Sequence, residues 1–75
     1  MKEYAQYISI DPDIRFGKPC ITGTRIVVSD ILSWLASDMS HHEIIEDYPL
    51  IKEEHIKAAL LFGANREAMV KIVAG

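Results

Sequence analysis

Apolar and polar residues alternate through Ile8, Ser9, Ile10 and Asp11 before Pro12-Asp13, the pattern of a short strand closed by a turn. "CITGTRIVV" (20–28) then places two β-prone runs around Gly23-Thr24. With glycine at the first central position, this spacing predicts a two-residue type II′ hairpin, which needs positive φ there. Runs of three or four residues are too short to stand alone, so the pair must lie on something else.

From Val28 the period becomes that of a helix. Ser29 is the expected cap and Asp30 sits in the first turn, where a carboxylate is favourable. Val28, Ile31, Leu32 and Leu35 share a face with Trp34 at its edge, and the helix is expected to stop near Ser37-Asp38. Ser40 and Glu43 have the spacing of a capping box. "HHEIIEDY" should follow as a two-turn helix presenting Ile44, Ile45 and Tyr48 and ending at Pro49. A third helix begins near Lys52 and turns Ile56, Ala59, Leu60 and Gly63 inward. Residues 64–74 are again helix-prone, with Met69, Val70 and Val73 as a second apolar stripe. Gly63 and Asn65 leave open whether the last two segments are continuous.

The expected architecture is therefore a single, mainly α domain. A β arm (1–27) precedes a three-helix core (28–62) and a helical C-terminal extension (63–75). A short helix, a proline-containing turn and a longer helix are compatible with a helix-turn-helix. Most three-helix bundles bind no DNA, so periodicity does not establish that role.

Composition bounds the possibilities. At 75 residues the core is small, which favours a homo-oligomer over a monomer. One cysteine excludes an intrachain disulfide and a cysteine-paired zinc site. No run of 18 apolar residues exists and the N-terminus lacks the apolar core of a signal peptide, so a cytoplasmic, non-membrane protein is expected.

Charge changes the picture in one place. The net charge is −3, yet no acid lies between Ile14 and Ser29, where Arg15, Lys18 and Arg25 stand. These three, with Lys52 and Lys57 of the third helix, are the candidate DNA contacts; the arm could equally dock an acidic partner. Glu53 and Glu54 weaken the case for the helix, because they would sit near phosphates in a major groove.

Candidate chemistry is sparse. His41 and His42 point about 100° apart on a helix and His55 stands alone, so no metal site is expected. Cys20 reads as a small buried strand residue, and the carboxylates as caps and surface. "GKPCITG" lacks the order of a phosphate-binding P-loop. Without a nucleophile, base and orienting group in view, neither an enzyme nor a cofactor is expected.

The motif order GKP-x-I-x-GTRI-x-V, an apolar helix, S-x-x-E-I, and YP-x-I-x-x-E-x-I-x-A-A-L, spanning residues 8 to about 62, resembles the bacterial family called domain of unknown function number 433. The resemblance implies a homeodomain-like trihelical fold. It also implies an antitoxin role beside a nuclease-like toxin related to PIN domains, a small Mg²⁺-dependent ribonuclease, and names no catalytic residue. The chain departs from the family in three places. Asp38 stands where glycine is common, "RFGKP" has one glycine where two are common, and "LLFGA" replaces the usual end of helix three.

The leading expectation is thus a type II antitoxin that also represses its own operon as a dimer. Its alternatives are a stand-alone DNA-binding regulator and a structural interaction module. "AALLFGANREAMVKIVAG" (58–75) is more apolar than a solvated tail, so Phe62, Arg66, Met69, Val70 and Val73 are the candidate partner contacts.

Overall fold

The computed structural model describes the backbone of residues 2–74 and the side chains of residues 5–65. Two strands, β1 (Ile8–Ser9) and β2 (Cys20–Ile21), and three helices, α1 (Val28–Ala36), α2 (His41–Asp47) and α3 (Glu53–Ala74), make up the regular structure with short 3-10 segments at Lys2–Tyr7 and Arg15–Gly17. The arm is thus less β than the sequence suggests. Its first residues form a 3-10 turn packed on α3, where Tyr7 meets the His55 ring edge-on with centroids 5.4 Å apart.

The strand pairing also differs from expectation. β2 pairs antiparallel with β1, Ile8 opposite Ile21 and Ser9 opposite Cys20. The run after Gly23 pairs back only briefly: Cys20 bridges Val27 and the Ile21 N–H donates to the Ile26 carbonyl at 2.9 Å, so the hairpin loop is the four residues 22–25 instead of two. Gly23 does have positive φ (+84°), but in a turn closed by the Thr24 N–H on the Ile21 carbonyl at 3.0 Å. That puts glycine at the second central position, as in a type II turn, and not at the first. The Thr24 hydroxyl locks the loop by donating to the Ile21 carbonyl at 2.9 Å and accepting the Ile26 N–H at 3.0 Å.

Helix α1 starts two residues earlier than a Ser29 cap would place it. Val27 is its N-cap without a side-chain bond, Ser29 is exposed inside the first turn, and the Val28 N–H is satisfied by the Pro19 carbonyl at 2.9 Å. The hairpin does the capping that Ser29 was expected to do. At the other end the Asp38 N–H reaches the Leu35 carbonyl at 3.0 Å and the Met39 N–H the Trp34 carbonyl at 3.1 Å. These are the two bonds of a Schellman motif, whose left-handed residue is usually glycine; here it is Asp38, at φ +71°.

Helix α2 begins with the expected capping box: Ser40 accepts the Glu43 N–H at 3.1 Å and Glu43 accepts the Ser40 N–H at 2.8 Å. Tyr48, its C-cap, stacks on Trp34 with ring centroids 4.1 Å apart. At the start of α3 a histidine takes the part glutamate plays in a capping box, the His55 Nδ1 accepting the Lys52 N–H at 2.8 Å. The third helix then runs unbroken to Ala74, so the backbone of the extension continues it.

Ile21, Val28, Ile31, Ile44, Ile51, Ile56 and Ala59 form the core where the three helices meet the hairpin. Ile51, in the turn before α3, is wholly buried and had no periodicity to announce it. Leu60, expected inside, is 43% exposed, and Ala58 is buried instead. Gly63 lies against Leu32: a Cβ there would stand 3.1 Å from Leu32 Cδ1, so a larger residue requires the Leu32 side chain to give by a few tenths of an ångström.

Candidate partner-binding surface

The segment from Ile14 to Lys18 is a double turn of left-handed backbone. Arg15, Phe16 and Gly17 have φ of +50°, +59° and +80° in succession. Two hydrogen bonds close it, Gly17 N–H to the Ile14 carbonyl at 3.1 Å and Lys18 N–H to the Arg15 carbonyl at 3.2 Å. Glycine takes this conformation freely, whereas arginine and phenylalanine are strained in it, by about 1–2 kcal/mol each. The geometry favours glycine at position 16, where this chain carries phenylalanine.

Phe16 is 95% exposed. Its ring covers nothing, so the strain of its backbone is not offset by burial. Arg15 ties the loop to the hairpin tip, its Nη1 donating to the Arg25 carbonyl at 3.0 Å. Asp11 and Asp13 form the preceding turn, where Asp11 Oδ1 accepts the Asp13 N–H at 2.9 Å.

The other candidate contacts divide into separate groups. Arg15 and Arg25 are brought together; Lys18, three residues after Arg15, lines a mainly apolar groove of about 310 Å³ that Val27, Val28, Ser29, Leu32 and Phe62 also line. Phe62, expected to stand clear of the core, is half-buried against it. Lys52 and Lys57 are exposed on the third helix and its N-terminal turn. Around them the charge is mixed: Glu53 is engaged by the His41 ring, and His42 pairs with Glu46 at 3.3 Å. The side chains of Arg66, Met69, Val70 and Val73 lie outside the described residues.

Cys20 is buried, its Sγ directed at the Lys18 carbonyl at 3.3 Å. Among the described residues no three His, Cys, Asp or Glu side chains gather to hold a metal ion, and no helix is long and apolar enough to cross a membrane. Phe16 is the residue that sequence reasoning passed over. Its signal was a bulky aromatic directly before a glycine in a loop.

Three helices with a two-stranded antiparallel sheet near the N-terminus define a small, mainly helical domain. A family model described as protein of unknown function (DUF433) matches residues 8–62, and the chain belongs to that family. It is similar to the crystal structure of a DUF433 member protein from Anabaena variabilis ATCC 29413, at 25% identity and a TM-score of 0.76, covering 93% of this chain and 70% of that one. No curated protein matches it.

Proposed function

We propose that this chain is an antitoxin-like protein of a type II toxin–antitoxin pair, binding and neutralising a PIN-like ribonuclease. The observation that carries the reading is Phe16, 95% exposed on a tightly closed loop, in a stretch from Ile14 to Ser29 that holds cations and no acid. A bare aromatic on a rigid loop has the character of an interface anchor, since ring burial dominates many protein–protein contacts. The motif resemblance supplies the class of partner. Co-expression tests it: the nuclease encoded in the adjacent reading frame should arrest growth alone and not beside this chain. Continued arrest, or the lack of a nuclease gene there, would overturn the reading.

Operator binding by a dimer is the second reading. The α2–turn–α3 order supports a homeodomain-like helix-turn-helix, with Lys52 and Lys57 facing DNA alongside Arg15, Lys18 and Arg25. Glu53 and Glu54 at the start of α3 oppose it. A stand-alone regulator would bind its upstream DNA with a steep salt dependence and no nuclease present. A dimer at micromolar concentration by sedimentation is the expected oligomeric state on either reading.

A further inference from the structure

Phe16 sits at φ +59° between two other residues of positive φ, with its ring almost entirely in solvent. Glycine or asparagine would hold this backbone with less strain and lose no burial. Strain without local compensation is expected where a residue serves something outside the free chain. The loop is also pre-ordered, by two turn hydrogen bonds and by the Arg15–Arg25 tie. A ring presented this way loses little freedom on docking.

Taken together with the antitoxin reading, on which it rests, we propose that Phe16 is the anchor of the toxin interface, inserting into an apolar pocket whose rim carries carboxylates that meet Arg15, Lys18 and Arg25. The charge pattern favours this partner over two others. A second copy docking by this same face would bring the same three cations against one another, which like-charge repulsion opposes. Single-stranded nucleic acid is usually held by several stacked rings along a cationic track. This loop offers one ring and three cations, with Asp11 and Asp13 in the turn before it.

The test is calorimetric titration of the nuclease from the adjacent reading frame with the wild-type chain, Phe16→Gly, Phe16→Asn and, as a control, Asp38→Gly. Asp38 shares the positive φ but lies at the end of α1. Both Phe16 variants should melt no lower than wild type, and Phe16→Gly about 4 °C higher. Both should bind the nuclease at least ~30-fold more weakly, the scale of losing a 2 kcal/mol hot spot. Asp38→Gly should also melt higher and bind as wild type does. Lys18→Glu with Arg25→Glu should slow association and flatten its salt dependence. Wild-type-like binding by both Phe16 variants would overturn the anchor and leave the antitoxin reading standing. No binding by the wild-type chain would overturn both. A change of sedimentation state in the Phe16 variants, or loss of affinity for a 12-mer of oligouridylate in place of the nuclease, would assign the ring to a second copy or to nucleic acid and overturn the proposal.

Discussion

Arg15 Nη1 donates to the backbone carbonyl of Arg25 at 3.0 Å, so one cation of the basic segment holds the other's backbone in place. The bond is exposed and links two loops ten residues apart in sequence. It joins the left-handed turn that presents Phe16 to the tip of the hairpin that caps α1. Arg15 is therefore a positioning residue as well as a charge.

Replacing Arg15 with Ala should cost little in global stability, about 0.5–1 kcal/mol, because the bond is solvent-exposed. Its effect should be local. The amide of Lys18, which closes the turn, is expected to exchange faster with solvent, and thermal melts should fall by no more than a few degrees. Unchanged exchange at Lys18 would mean that the turn holds without the arginine.

Two glycines respond to substitution for different reasons. At Gly23 a Cβ would meet nothing within 4 Å, so the demand is on φ alone (+84°). Gly23→Val should cost well over ~1 kcal/mol, and Gly23→Asn distinctly less, because asparagine tolerates positive φ. At Gly63 the backbone is helical and the demand is on space beside Leu32. Gly63→Ala gains up to about 1 kcal/mol of helix propensity against the close contact, and the additional change Leu32→Ala should relieve that contact. A thermal double-mutant cycle between positions 63 and 32 checks this; strict additivity would contradict the close approach.

Asp38→Gly should stabilise the chain. The Schellman motif at the end of α1 needs a left-handed residue, and aspartate is held there at φ +71°. A gain of about 0.5–1 kcal/mol corresponds to a melting temperature roughly 2–8 °C higher. A lower melting temperature would show that the Asp38 carboxylate contributes more than its backbone strain costs.

Local signals carried much of the fold. The Ser40–Glu43 capping box formed because both partners lie within one turn, and the helical period placed Ile31, Ile44 and Ile56 inside. The strand pairing was not legible in the same way. That Cys20-Ile21 pairs back with Ile8-Ser9 as well as forward at Val27 depends on contacts across more than ten residues, and two-residue strands have too little alternation to reveal it. Ile51 escaped notice because it plugs the core from a turn. The cation cluster was readable as composition. Phe16 was not, because strain shows in φ and exposure, while the letters alone suggest one more apolar residue in a loop.

Cleavage of a labelled RNA by the adjacent-frame nuclease, followed as this chain is added, tests the central claim most directly. The account predicts that wild-type chain titrates the activity away at a fixed stoichiometric ratio, with no added DNA required. It predicts that Phe16→Gly, at the same concentrations and with an intact melt, leaves most of the cleavage running. Undiminished cleavage in the presence of excess wild-type chain would contradict the account.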